Sequence, residues 1–352
     1  MKEPRHIVHI IYQLHLGGME TMLADIANEQ CRRGLRVTVI VVNDEVDPLM
    51  LRRFEPAVRV VTMRRRRGSR PLLMMARLNI LVSRLRPDVV HLHQPNFRKL
   101  LRVCRNRQVL TVHDINTPLE HVDAACPIAA ITEAVRADVL NRRPDARVEV
   151  LLNGICTSTI APRGDRRPAP ANFRIVQLAR LNYEKKGQDI LIDALGELRR
   201  RGRHDISVDF IGGGVSDEPL RQRAAACGVT DAVHFLGLMD RDEVYRRLAD
   251  YDAMVHPSRY EGFGLIIAEA MCAGLPVVVT RNDGPWEVAD RGRLCESITL
   301  GDAIGLADTI EAMIAGYPAV LARAAEARVY AQRYGIERTV DAYLELYRRL
   351  GQ

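Results

Sequence analysis

Two carboxylates and two cations stand in glycine-punctuated stretches of this 352-residue chain. The denser stretch runs His256-Pro257-Ser258-Arg259-Tyr260-Glu261-Gly262-Phe263-Gly264-Leu265 and continues to Glu269, Gly274 and Pro276. The spacing predicts a helix that Glu261 precedes and that holds Glu269 about two turns in. Eight helical residues return to nearly the same face, so both carboxylates could address one ligand. The N–H groups of Phe263, Gly264, Leu265 and Ile266 fall at the predicted helix N-terminus, which suits phosphate or sugar oxygens.

Arg180 and Lys186 bracket a second loop, Ala179 to Gly187, between a predicted strand and an amphipathic helix. An arginine can fork onto a diphosphate while a lysine acts as a point charge, so the pair could neutralise a departing phosphate group. A third loop, Gly17-Gly18-Met19-Glu20, follows the first strand and opens a helix. Two glycines there allow close backbone approach and offer N–H groups at the positive end of that helix. No GxGxxG follows the first strand of either half, which argues against a dinucleotide-dependent oxidoreductase.

Asp240-Arg241-Asp242 and Asp250-Tyr251-Asp252 match the DxD pattern of divalent-ion sites. The first lies at a strand-to-helix turn and the second enters a strand, both ordinary places for aspartate, so no metal is expected. Seven scattered cysteines with no CxxC speak against a zinc site or a disulfide framework and for free thiols.

The elements that must position these loops follow a β-α rhythm. Short β-branched runs fall near 7–12, 36–42, 57–61, 88–92, 109–113, 128–131 and 147–151, then near 174–178, 206–211, 233–236, 253–256, 276–279 and 293–295. Helical patterns alternate with them, the signature of parallel βαβ units and an α/β fold. Met22, Leu23, Ile26 and Ala27 mark a helix ended by Arg32, Arg33 and Gly34. Residues 161–172 carry three prolines and no apolar periodicity, and read as a linker. Two domains are therefore expected, 1–165 and 166–335, with a helix at 336–352 that could cross back to the first.

Composition supports a folded protein: 47% hydrophobic and 27% charged residues exclude disorder and low complexity. The first 165 residues carry 26 Lys and Arg against 17 Asp and Glu, whereas the remainder is slightly acidic. Between Arg59 and Arg107 fourteen basic residues face one acid, Asp88. The peak is Arg64, Arg65, Arg66, Arg67 and Arg70, a patch suited to an anionic acceptor or membrane surface. No aromatic residue lies between Arg59 and Arg86, so the stacking platform of a single-strand nucleic-acid binder is missing and nucleic acid is not expected. The apolar run Ile7 to Tyr12 is too short for a signal segment or a membrane span, so the expected location is cytoplasmic, with peripheral contact at the inner face of the plasma membrane.

The stretch 256–279, with Glu261 and Glu269 in the ExxxxxxxE spacing, resembles the signature of family 4 glycosyltransferases, retaining enzymes of the GT-B fold. Gly17-Gly18-x-Glu20, the Arg180-to-Lys186 spacing, Gly212-Gly213-Gly214, Asn153-Gly154 and Thr111-Val112-His113-Asp114 match it as well, so the resemblance covers nearly the whole chain. It implies two Rossmann-like parallel-sheet domains facing across a cleft. It further implies that Arg180 and Lys186 bind a donor diphosphate, that Glu269 holds the ribose, and that Glu261 with Phe263, Gly264 and Leu265 holds the transferred sugar. His113 would reach a sugar hydroxyl, and Gly17, Gly18 and Gly212 would line the donor site.

The implied reaction is front-face transfer from a nucleotide-diphosphate sugar, UDP favoured over GDP, with no metal or other cofactor. The acceptor would be a saccharide or a lipid-linked molecule of the cell envelope. An epimerase or phosphorylase of the same fold, and a non-catalytic anion or nucleic-acid binder, are the alternatives. One departure stands out: the family commonly has Asp two residues after Asn-Gly, where this chain has Cys156.

Overall fold

Among the described residues thirteen parallel strands form two sheets, one per domain. The computed structural model describes residues 4–66, 71–164, 172–281 and 283–350. The chain divides into one unit of Met1–Ile155 with Tyr334–Gln352 and a second of Cys156–Arg333.

In the first unit the strands are β1 (His6–Ile11), β2 (Arg36–Asn43), β3 (Arg59–Arg65), β4 (Val89–Leu92), β5 (Gln108–Val112), β6 (Ile128–Ala130) and β7 (Val148–Val150). Their order in the sheet is β3-β2-β1-β4-β5-β6-β7. The order reverses between β1 and β4, and the loops beyond the carboxyl ends of strands at such a point form the natural ligand crevice. Strand β1 is buried along its length, as a central parallel strand covered on both faces must be. The helix Gly18–Arg32 buries Met22, Leu23, Ile26 and Ala27 on the sheet.

The second unit repeats the plan with β8 (Phe173–Leu178), β9 (Ile206–Ile211), β10 (Val233–Gly237), β11 (Ala253–His256), β12 (Val277–Thr280) and β13 (Glu296–Ile298). Here the order is β10-β9-β8-β11-β12-β13, reversing between β8 and β11. The helix Gln188–Arg200 places Ile190, Leu191, Ala194, Leu195 and Leu198 in the core below.

Three sequence expectations shift. The strand expected at 57–61 runs Arg59–Arg65, because its pairing with β2 carries the ladder into the arginine run. The strand expected at 293–295 is Glu296–Ile298, paired with β12. The division between the units falls at 155/156 rather than 165/166, and the chain re-enters the first unit at Tyr334. The physical reason lies at Ile155: its N–H donates to Tyr334 O at 2.7 Å, and its carbonyl accepts Ile336 N–H at 3.0 Å.

The helix Ile336–Arg348 then lays Val340, Tyr343, Leu344 and Tyr347 against the first sheet. It also approaches Gly154, where a Cβ would stand 2.6 Å from Thr339 Oγ1 and 2.8 Å from Ile336 Cα. The Asn153-Gly154 pair is thus part of a packing junction.

Part of the linker expected at 161–172 falls outside the described residues, as do Arg67 and Arg70 of the basic patch. Among the described residues no single helix is long and apolar enough to cross a membrane.

Candidate active site

The loops after β8 and β11 meet at the reversal point of the second sheet. Six hydrogen bonds join them or brace them. Arg259 N–H donates to Lys185 O at 2.9 Å, and the Arg259 guanidinium donates to Tyr183 O at 2.6 Å. The same guanidinium forks onto Asp189 at 2.9 and 2.7 Å. Gln188 Nε2 donates to Arg180 O at 3.0 Å, and Gln177 Nε2 donates to Lys186 O at 2.7 Å. Backbone that would otherwise wander is thereby tied to side chains of the flanking elements, which pre-organises the cations it carries.

Within this frame Lys186 Nζ lies 2.7 Å from Glu261 Oε1. The other oxygen, Oε2, is 2.6 Å from His256 Nε2, and His256 is the last residue of β11. Burial pushes the Glu261 carboxyl up, but the Lys186 ammonium and the His256 hydrogen bond outweigh it and hold the group well below the usual carboxylate range. Glu261 is therefore ionised. Of the two adjacent lysines, Lys186 faces Glu261, whereas Lys185 Nζ lies 4.5 Å over the Tyr260 ring. Arg180, two residues beyond the Leu178 that ends β8, is exposed.

Glu269 sits apart from Glu261 in its bonding. The helix that carries it is Leu265–Ala273, with Gly264 in the left-handed region as its N-cap. Glu269 is therefore the fifth helical residue, and the eight-residue helical count does not relate it to Glu261. Its Oε1 accepts from Arg241 Nη2 at 2.7 Å and from Tyr245 Oη at 2.7 Å. Those donors lie on the helix Arg241–Leu248, four residues apart on one face. Phe263 precedes the cap and its side chain is buried, so Leu265 and Ile266, not Phe263, supply the first N–H groups of the helix.

Gly212 ends the loop cluster on the β9 side. Its φ is +144°, and a Cβ would lie 2.0 Å from Ala179 O. Only glycine fits where the chain leaving β9 passes under the Arg180 loop.

One aspartate of each DxD match is engaged structurally. Asp240 Oδ1 accepts Glu243 N–H at 2.8 Å and caps a helix. Asp252 accepts Arg163 Nη2 at 3.0 Å and Arg174 N–H at 2.9 Å.

In the first unit, Gly17 is the N-cap of the helix Gly18–Arg32 with φ −166°, extended backbone open to any residue, so its conformation does not require glycine. His113 follows β5, with Nε2 3.2 Å from His93 Nδ1, and burial pushes its pKa down to about 3. It is a neutral imidazole.

Arg259, Arg241, Tyr245 and Gln188 were not singled out from the sequence. The Arg241 and Tyr245 spacing is visible there, but nothing in it points to a carboxylate 24 residues further on.

Two doubly wound domains, with cations and carboxylates gathered where the second sheet reverses, define the GT-B class. Residues 16–159 match Glycosyltransferase Family 4 and residues 164–334 match Glycosyl transferases group 1. The chain belongs to this glycosyltransferase family.

Among its relatives, a D-inositol 3-phosphate glycosyltransferase of Mycolicibacterium vanbaalenii is 33% identical over 65% of this chain and 54% of its own. The chain spans about half the length of such mycobacterial relatives, 44% for a glycogen synthase of Mycobacterium tuberculosis. The lipopolysaccharide core biosynthesis glycosyltransferase LpsE of Rhizobium meliloti is 26% identical over 94% of this chain and 95% of its own. The fold is also that of Anabaena HepE, solved with UDP and glucose, at a TM-score of 0.80 and 23% identity over 98% of this chain and 99% of that one.

Proposed function

We propose that this chain is a retaining glycosyltransferase that moves a sugar from a nucleotide diphosphate to a saccharide or lipid-linked acceptor of the cell envelope, without a metal. The observation that carries this reading is the joined pair of loops holding Lys186 on ionised Glu261 beside the N-terminus of the helix Leu265–Ala273. Glycosyl transfer leaves negative charge on the departing diphosphate and positive charge on the sugar ring. Arg180 and Lys186 would take the first, and Glu261 with the N–H groups of Gly264 and Leu265 would hold the sugar that bears the second. Glu269 presents Oε2 to the ribose hydroxyls while Arg241 and Tyr245 hold Oε1.

In this reading the bond from the anomeric carbon to the diphosphate breaks with its electron pair on oxygen. The acceptor hydroxyl bonds to the same face, and its proton passes to the departing diphosphate oxygen. Glu261 positions rather than attacks. His113 accepts a hydroxyl of the sugar, and Gly17, Gly18 and Gly212 leave room for the donor.

UDP is favoured over GDP, in keeping with HepE, and the envelope acceptor with LpsE. The helix Pro71–Leu85 supports a peripheral membrane role: it buries Met74, Leu78 and Val82 yet exposes Leu72, Leu73 and Ile80, and it follows Arg64, Arg65 and Arg66 in the chain. That surface suits the cytoplasmic face of an anionic membrane.

Thermal-shift measurement against UDP, GDP and ADP identifies the base, since a ligand at a hundredfold excess over its Kd stabilises by about 3 kcal/mol. Release of nucleoside diphosphate only when acceptor is present separates transfer from epimerisation, and dependence on inorganic phosphate would reveal a phosphorylase instead.

A further inference from the structure

A file of histidines crosses one face of the first sheet. Register pairs His9 on β1 with His91 on β4, and the two-residue period keeps His93 on the same side. His113 Nε2 is 3.2 Å from His93 Nδ1, His93 Nε2 is 3.1 Å from His9 Nδ1, and His9 Nε2 is 2.9 Å from Gln30 Oε1. Three imidazoles and an amide thus form a continuous chain, buried at Gln30, His9 and His93 and half-buried at His113, and none of its members but His113 belongs to the site described above.

The nitrogens of His9, His91 and His93 lie within 4.8 Å of one another, so a metal ion is the competing reading. Ring planes decide against it. An imidazole lone pair lies in the plane of its ring, and His91 and His93 are stacked 4.5 Å apart at 21°, with His9 and His93 at 27° and His9 and His91 tilted by 38°. Nearly parallel planes send their lone pairs side by side rather than to one point. His91 is also engaged at both nitrogens, to Tyr347 Oη and to Thr111 Oγ1, each at 2.6 Å.

The chain has a direction. A neutral imidazole has one donor and one acceptor nitrogen. Each link joins Nε2 of one ring to Nδ1 of the next, and Gln30 Oε1 at the end can only accept. His9 must then donate from Nε2 and accept at Nδ1, His93 likewise, and His113 likewise. The last ring is left with a bare lone pair at Nδ1, which has no hydrogen-bond partner among the described residues.

We propose that Gln30, His9 and His93 form a tautomer relay that locks His113 as the Nε2–H form, so that the site selects a sugar carrying a hydroxyl opposite Nδ1 and rejects one carrying a carboxylate there. A hydroxyl donates to that lone pair, whereas an ionised carboxylate brings only lone pairs of its own. Gln30, His9 and His93 are positioning residues, since they act through His113. The selectivity rests on the glycosyl-transfer reading above; the tautomer lock does not.

The test is nitrogen-15 NMR of the full chain labelled at histidine, without donor and near neutral pH. Protonated Nε2 and bare Nδ1 on His9, His93 and His113 are expected, and a protonated Nδ1 on His113 overturns the relay. Gln30→Met removes the terminal acceptor and should give His113 mixed tautomers, while Gln30→Glu keeps the acceptor and should restore one. The same variants, assayed with nucleotide-diphosphate glucose and glucuronate, should show a preference for glucose in kcat/KM of roughly tenfold or more that falls in Gln30→Met and returns in Gln30→Glu. Equal use of both donors by the wild type overturns the selectivity. Failure to bind any nucleotide sugar would count against the functional reading, and the tautomer measurement on donor-free protein keeps that failure separate.

Discussion

Lys186 Nζ and Glu261 Oε1 are 2.7 Å apart, and the carboxylate is held on its other side by His256. One cation of the loop after β8 is therefore fixed by an anion of the loop after β11. If Lys186 serves the departing diphosphate, Lys186→Ala should lower kcat/KM by about 10²–10³-fold, the usual cost of removing one electrostatic stabiliser of a transition state. Steady-state kinetics on a variant with native circular dichroism checks this, and an unchanged rate would remove the assignment. Arg180→Ala should likewise abolish nucleotide-dependent turnover.

Glu269 is oriented by Tyr245 and Arg241. Tyr245→Phe removes one donor from a buried carboxylate and should cost about 1–2 kcal/mol of donor affinity, roughly five- to thirtyfold in Kd. If Glu269 holds the ribose alike before and during reaction, kcat should stay near that of the wild type. Titration calorimetry with the nucleoside diphosphate alone measures the loss, and affinity unchanged by both Tyr245→Phe and Glu269→Ala would place the ribose elsewhere.

Burial lowers the pKa of His9 to about 4 and of His113 to about 3, and holds His91 and His93 well below their ordinary value. As pH drops from about 6.5 toward 4 the unfolded chain binds protons that the native one refuses, so stability falls with falling pH across that window. Each such group contributes about 1.4 kcal/mol per pH unit at most. Urea midpoints at about pH 7 and pH 5 should differ accordingly; coincident midpoints would contradict the buried neutral file.

Leu72 and Leu73, which follow the arginine run in sequence, are exposed. Binding to anionic vesicles should weaken steeply with salt and drop further in Leu72→Ser with Leu73→Ser, while activity on a soluble acceptor is retained. Co-sedimentation reports both effects, and equal binding to neutral vesicles would exclude the electrostatic part.

Much of the fold was legible because buried parallel strands leave short β-branched runs bounded by turn residues; DVVHL before β4's end and PVVV at β12 are cases. The arginine run hid the true extent of β3, since charged side chains on an edge strand do not alternate as a half-buried strand does. The Arg180, Lys186 and Glu261 loops could be found from residue types beside strand ends. Their mutual fixing by Arg259 could not, because contacts between residues 70 apart depend on strand order, which spacing does not encode. The same holds for the contact of His9 with His93, which depends on the pairing of β1 with β4.

The return of the helix Ile336–Arg348 to the first sheet makes that domain a discontinuous piece of the polypeptide. Residues 156–333 can be excised as one uninterrupted fragment, but stopping synthesis after Ile155 would strip His91 of Tyr347 and Thr111 of Tyr343. To study the amino-terminal half by itself, a short spliced connection from Ile155 to Tyr334 is needed, and folding of that half must wait until the ribosome has finished the other.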